Sequence, residues 1–225
     1  MTDFDYEVIN NITPIKQPKP RINEGGDCGA CCIAGIIGYT AEQLPKLYKN
    51  ILKPYYGGTP REVGSVNWAD LLDKTSKFMH NKLQITEPVV IDNINFNDVE
   101  KHNIYHNPYY STPWNLIKPY IHKLRTYLEA GYIAMTTIKY DGTANPLDFK
   151  GTDHWVIING VKKETTKVKL DSGYRYDVEF KVKIGCSVKG QYWINAEKLI
   201  KNHGGFNLAF IRKIPIVKPK IKITK

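Results

Sequence analysis

The sequence predicts an α+β fold, in which a helical N-terminal half packs on a C-terminal antiparallel β-sheet. Two observations support this class. Up to Gly131 the apolar residues recur mostly at helical spacing, whereas from Tyr132 onward they alternate with polar residues, as half-buried strands do. The chain has 225 residues, a length that suits a single domain with modest insertions and a proper core.

The N-terminal half begins with residues 1–27, whose prolines predict an extended arm ending in a Gly-Gly turn. A helix is expected from Cys28 to about Leu47, with Asp27 as N-cap. Its small and apolar residues predict burial nearly all round. Ser65 then caps a second expected helix. The apolar stripe of that helix is formed by Trp68, Leu71, Leu72 and Phe78.

Residues 83–110 predict an irregular insertion, with a short strand in "LQITEPVVIDNI". A third helix follows, capped by Thr112, with Pro113 at its first position and Gly131 at its end. Pro119 lies inside this pattern and is expected to kink the helix or split it in two.

The C-terminal half predicts six strands and one short helix, "NAEKLIKN". "DSG" at 171–173 predicts a tight hairpin turn. The basic tail, residues 214–225, alternates Ile and Lys and predicts an edge strand guarded by lysines. The six strand segments are 132–140, 154–161, 165–170, 174–185, 191–194 and 206–213.

Composition excludes several classes of function. The net charge is +10, but it comes from lysines spread over the whole length, and only five residues are arginine. Arginine is the preferred reader of bases and phosphates, so no specific nucleic-acid partner is expected. No apolar run approaches the ~20 residues of a membrane span. The N-terminus lacks the apolar segment of a secretory signal, so we expect a cytoplasmic protein, and packaging into a virus particle is compatible with this. The oligomeric state is left open.

The segment "NEGGDCGACCIAGIIGYT" holds three of the four cysteines, and Cys28 opens its expected helix. The first turn of a helix offers unpaired N–H groups and the positive end of the dipole, which stabilise a thiolate. Gly29 leaves room for a substrate backbone, and the N–H of Cys28 is placed to donate to an oxyanion. These features favour a nucleophile.

A thiol nucleophile needs a base, and His154 fits best. It begins the apolar strand "HWVIINGV", so its ring can project into a cleft while the following residues pack. The remaining histidines lie in polar, irregular or helical segments and are expected to be solvent-exposed: His80, His102, His106, His122 and His203.

Two other uses of "CGACC" are disfavoured. A redox C-x-x-C follows a buried strand in a βαβ unit, and no such pattern is present here. A zinc site needs a second pair of ligands, which would have to come from Cys186 and a histidine in unrelated segments. No metal and no cofactor are therefore expected, and the cysteines are expected to be thiols.

"DCGACCIAGIIGYT" resembles the nucleophile helix of the C39-like cysteine peptidases of the papain-like superfamily, whose pattern is Asp-Cys-Gly-Ala-Ala-Cys-Leu-Ala. "LRTYLEAGYIAMTTI" followed by "GTDHWVIINGV" resembles the same family's two strands, the second of which begins with the histidine. The resemblance implies a papain-like fold, in which a buried nucleophile helix packs on the sheet. It implies Cys28 as nucleophile and His154 as general base.

The sequence departs from the family's pattern at the supporting residues. Isoleucine stands where the oxyanion glutamine is usual, which leaves Asn23 or Gln17 as candidates. The residue that orients the histidine could be Asp171 at family-like spacing, or Cys186 or Ser187 if "VKIGCSVKGQYWI" matches the papain-like strand ending in Asn-Ser-Trp-Gly.

"CGACC" also fits the papain motif Cys-Gly-Ser-Cys-Trp, which would make Cys31 the nucleophile instead of a small core residue. The expected function is a cysteine peptidase or related thiol hydrolase acting on a peptide or protein substrate. The alternative is a catalytically weakened scaffold or virion component with the same fold.

Overall fold

The computed structural model describes residues 4–12, 15–16, 28–47, 83–85, 114–139, 154–186, 189–200, 208–213 and 218–224. Within them, eight strands form one antiparallel sheet with helices on both faces, which confirms the α+β class. The strands are β1 (Asp5–Ile9), β2 (Leu83–Ile85), β3 (Ile133–Ile138), β4 (His154–Leu170), β5 (Gly173–Cys186), β6 (Gly190–Asn195), β7 (Ala209–Lys213) and β8 (Lys220–Thr224). The helices are α1 (Cys28–Ile37), α2 (Leu44–Leu47), α3 (Trp114–Glu129) and α4 (Ala196–Lys198), with a 3-10 turn at Ala41–Gln43.

The sheet is organised around β4, which is 17 residues long. Along one edge of β4, residues 154–158 pair with β3 and residues 160–163 pair with β1. The hydrogen-bonded path through the sheet is therefore β2-β7-β3-β4-β1-β8. On its other edge β4 pairs with β5 from Val156 to Leu170, and β6 follows β5. The two sequence segments 154–161 and 165–170 are therefore one continuous strand, and β8 is an edge strand, as the lysine-rich tail predicts.

Side chains alternate between the two faces of this sheet. On the face that we call the α1 face, Trp155 and Ile157 pack with the buried side of α1. On the opposite α3 face, Val156 and Ile158 pack with buried residues of α3, among them Tyr120 and Leu124. Helices thus cover both faces, whereas the sequence predicted a helical half on one side of the sheet.

Helix α1 is buried as expected but shorter than predicted. It ends at Ile37 instead of Leu47, because Gly38 takes φ 80°. The N–H of Tyr39 then donates to the carbonyl oxygen of Ala34 over 2.8 Å, which closes the last turn. The chain continues through the 3-10 turn into α2.

Helix α3 runs from Trp114 to Glu129 across Pro119, so the proline does not split it in two. Gly131 ends the helix as predicted: it has φ 83°, and its N–H donates to the carbonyl oxygen of Leu128 over 3.0 Å. The expected caps Thr112 and Pro113 lie outside the described residues.

The expected N-terminal arm instead contributes a strand to the sheet. Residues Asp5–Ile9 pair with β4 on one side and with β8 on the other. Tyr6 and Val8 are buried, which alternation in "DYEVI" could have indicated. Of the predicted insertion, residues 83–85 form β2; the helix after Ser65 and the Asp27 cap lie outside the described residues.

A buried asparagine pair fixes the junction of these elements. Asn159 sits where the register of β4 against β5 shifts, and its Nδ2 donates to the carbonyl oxygen of Asn10 over 2.8 Å. Asn10 Nδ2 in turn donates to the carbonyl oxygens of Leu128 (3.0 Å) and Tyr132 (2.6 Å). These bonds connect the end of β1, the centre of β4 and the turn between α3 and β3.

Candidate active site

Cys28 is the first residue of α1, the position where a thiol meets the unpaired N–H groups of the helix. It is half-buried and packs against the cluster on the α1 face. The first turn of α1 contains no acidic residue that would oppose a thiolate. The first position of a helix is one that favours the nucleophilic form of cysteine.

Cys31 and Cys32 are completely buried in the same cluster. Cys28, Cys31 and Cys32 are all thiols, and none of the three forms a disulfide. A side chain with no exposure cannot reach a substrate carbonyl, which agrees with the interpretation of Cys31 as a core residue. Cys28 is the better candidate nucleophile.

His154 is the first residue of β4 and is 8% exposed. The start of β4 lies against the start of α1: a Cβ placed on Gly29 would stand 3.4 Å from Cδ1 of Trp155. The structure thus brings the residue after the candidate nucleophile into contact with the residue after the candidate base, although more than a hundred positions separate them. An alanine Cβ at position 29 would therefore be in ordinary van der Waals contact with this indole.

The register of β4 determines which face His154 occupies. His154 stands opposite Ile138, and Ile138 belongs to the cluster on the α3 face. Trp155, which contacts α1, points to the other face. The His154 backbone lies at the rim of the sheet, where β4 begins. A Cys28–His154 pair therefore requires the imidazole to turn from the α3 face around this rim to the α1 face.

The candidate orienting residues fall in different places. Asp171 lies in the turn after the last residue of β4, about 55 Å along the strand from His154 at about 3.3 Å per residue. Asp171 therefore does not orient His154, and the hairpin-tip interpretation of "DSG" is the right one. Cys186 ends β5 at the same end of the sheet as His154, opposite Val156 in the register. Ser187, Asn23 and Gln17 lie outside the described residues.

Two neighbours of the site were not identified from the sequence. Trp155 is 7% exposed and closes the space beside Gly29. Thr136 is a fully buried hydroxyl opposite Val156, on the face that His154 shares. A glycine in a buried helix leaves room for a large neighbour. Gly29 in the sequence could therefore have indicated that a bulky residue such as Trp155 packs beside it.

A pocket formed by described residues lies away from this site. It lies at the opposite end of α1, lined by Ile36, Asn10, Gly131 and neighbouring residues. The ten residues of α1 place it about 15 Å from Cys28.

Within the described ranges, no three His, Cys, Asp or Glu side chains are grouped as metal ligands would be. None of the helices described is both long enough and apolar enough to cross a membrane.

No protein-family model matches the sequence, and neither the curated proteins nor the solved structures contain a match. The likeness to C39-like peptidases therefore depends on the sequence motifs around Cys28 and His154 alone.

Proposed function

We propose that the protein is a papain-like thiol hydrolase that cleaves a peptide or other amide bond through Cys28 and His154. The observation that carries this proposal is the contact between Gly29 and Trp155. It sets a helix that begins with a cysteine against a strand that begins with a histidine. Nucleophilic catalysis by a thiol requires a base within hydrogen-bond reach of the sulfur. Catalysis therefore needs the His154 imidazole to turn from the α3 face, around the rim of the sheet, toward Cys28.

In the proposed reaction the thiolate of Cys28 attacks the amide carbonyl carbon, and the carbonyl oxygen becomes an oxyanion. The backbone N–H of Cys28 donates to that oxyanion. The C–N bond then breaks as the His154 imidazolium gives its proton to the leaving amine. His154 next takes a proton from water, whose oxygen attacks the thioester and regenerates the thiol. An amine in place of water would give an acyl transfer instead.

The proposal is tested by the pH dependence of thiol alkylation. Burial alone makes Cys28 react before Cys31 and Cys32, so the rate order does not distinguish an activated thiol from an accessible one. An unperturbed cysteine has a pKa of about 8.5. We expect iodoacetamide to label Cys28 with an apparent pKa well below that value, and His154→Ala to return it to about 8.5.

His122→Ala is the matched control, because His122 is an exposed histidine on α3. It should leave the labelling profile unchanged, and Cys28→Ser should remove the fast label. A wild-type profile centred near 8.5 that His154→Ala does not alter would refute the Cys–His pair.

A non-catalytic scaffold with the same fold is the second candidate. Two observations favour it: the register places His154 on the face opposite to Trp155, and Asp171 lies at the far end of β4. Loss of a third triad member typically weakens catalysis by about 10⁴-fold. The unshifted labelling profile described above is the result expected for a scaffold.

A further inference from the structure

The β4–β5 hairpin extends beyond the rest of the sheet and exposes two different faces. From Thr165 to Val178 its two strands pair only with each other among the described strands. Directly opposite residues share a face, so the ladder assigns every side chain to one side. One side, which we call the tyrosine face, consists of Thr165, Lys167, Lys169, Tyr174, Tyr176 and Val178.

The apolar residues of the tyrosine face are unusually exposed. Tyr174 is 59% exposed, Tyr176 is 61% exposed and Val178 is 43% exposed. Two aromatic rings left in water on a regular strand contribute nothing to a core. They indicate a surface that meets a partner.

Charge is segregated between the two faces of the hairpin. The paired positions of the tyrosine face hold two lysines and no carboxylate. The carboxylates Glu164, Asp177 and Glu179 all occupy the reverse face, where they form ion pairs with Lys162, Arg175 and Lys181. Among the described residues, Asp5 at the hairpin base is bound at the edge of the tyrosine face, where it accepts hydrogen bonds from Thr165 N and Oγ1. The tyrosine face is therefore complementary to an anion.

The aromatic rings and the cations are interleaved. Tyr174 stands opposite Lys169, and Tyr176 stands opposite Lys167. Lys167 Nζ lies 3.8 Å from the centre of the Tyr174 ring and 6.0 Å from that of Tyr176. The two tyrosines are two residues apart on one strand, hence about 7 Å apart along it.

We propose that the tyrosine face binds single-stranded nucleic acid without sequence specificity. Tyr174 and Tyr176 would each stack on a base, while Lys167 and Lys169 neutralise the phosphates between them. Aromatic platforms interleaved with cations are the usual device for such binding. Membrane-binding surfaces usually present Trp, Phe or Leu, and acidic motifs are usually bound by clusters of arginine; the six residues of this face include none of these types. The inference is independent of the proposed hydrolase, because Lys167 is about 40 Å along β4 from His154.

The test is fluorescence anisotropy of the full chain with labelled oligothymidylate and oligouridylate of about 20 nucleotides. Tyr174→Leu and Tyr176→Leu keep the apolar surface but remove the stacking ring, and each should weaken binding at least about fivefold. Lys167→Gln and Lys169→Gln should each reduce the slope of log affinity against log salt by about one. Lys222→Gln on the edge strand β8 is the charge-matched control and should have neither effect.

Three results would overturn the proposal. The first is oligonucleotide binding that the two tyrosine variants do not weaken, because it would reflect only diffuse attraction to a chain of net charge +10. The second is equal affinity for heparin or duplex DNA, which cannot stack on the rings. The third is binding to phosphatidylserine vesicles without binding to either oligonucleotide. Because both tyrosines are exposed, circular dichroism of the variants should match that of the wild type.

Discussion

Among single residues, Asn10 connects the end of β1 to the turn between α3 and β3 through its side-chain amide. Its Nδ2 donates to two carbonyl oxygens, those of Leu128 and Tyr132, and the side chain is 5% exposed. Asn10→Ala would remove the Asn10 donor from the Tyr132 carbonyl and would leave the Leu128 carbonyl with the Gly131 N–H, which costs about 2 kcal/mol of unfolding free energy. In a chain of this size the melting temperature should fall by roughly 5 °C or more.

Asn11→Ala is the control for this prediction, because the neighbouring asparagine is exposed. Its unfolding free energy should stay within about 0.5 kcal/mol of the wild type. Equal denaturation midpoints for the two variants would mean that the Asn10 bonds do not hold the α3–β3 turn in solution.

Among the helices and strands, α3 contains an internal proline, Pro119, that weakens the helix. Pro119 is exposed and lies in the second turn of the helix, where it lacks the N–H that would donate to the carbonyl of residue 115. Pro119→Ala should therefore raise the unfolding free energy by about 1–3 kcal/mol, measured by urea denaturation. His122→Ala, on an exposed position of the same helix, should be neutral. No gain from Pro119→Ala would place the true start of α3 near the proline, which is tolerated only in a first turn.

At the base of the β4–β5 hairpin, a ladder of ion pairs around Glu164 stabilises the fold by an amount that depends on pH. A hydrogen bond from Lys162, then one from Lys181, holds the pKa of Glu164 below its ordinary value. The Glu164 carboxyl is thus a stronger acid in the folded protein than in the unfolded chain. Its ion pairs therefore stabilise the fold fully above the unfolded pKa of about 4.3. This stabilisation is lost as the pH falls through the folded pKa. Glu164 is 41% exposed, so its contribution is below about 1 kcal/mol.

Glu164→Gln should lower the melting temperature slightly at neutral pH, and the difference from wild type should shrink as the pH falls below about 4.3. The measurement is thermal unfolding of both proteins between about pH 3 and about pH 7. Glu42→Gln, on the 3-10 turn and away from this ladder, is the control. A difference that does not change with pH would show that Glu164 acts by packing and not by charge.

At the scale of the whole molecule, the sequence predicted whatever depends on local pattern. The apolar segment "HWVIINGV" and the glycine that ends "LEAG" correctly predicted a strand and a helix end, because both are set by nearby residues. The end of α1 was missed because Gly38 was not recognised as a stop signal within an apolar run. The contact of Gly29 with Trp155 and the role of Asn159 depend on strand order and register, which a single sequence does not specify.

The two surfaces to which we assign functions lie at opposite ends of β4, and this separation predicts that they act independently. Replacing residues 166–177 by Asn-Gly would join Thr165 to Val178, which already stand opposite each other, through a favoured two-residue turn. The removed residues belong to neither core cluster, so the unfolding free energy should change by less than about 1 kcal/mol. The shortened protein should keep the labelling profile of Cys28 and lose oligonucleotide binding. The Tyr174→Leu, Tyr176→Leu double variant, which keeps the hairpin, is the matched control. If shortening the hairpin also removed the fast labelling of Cys28, the two ends of β4 would be coupled and the assignment of two separate functions would be wrong.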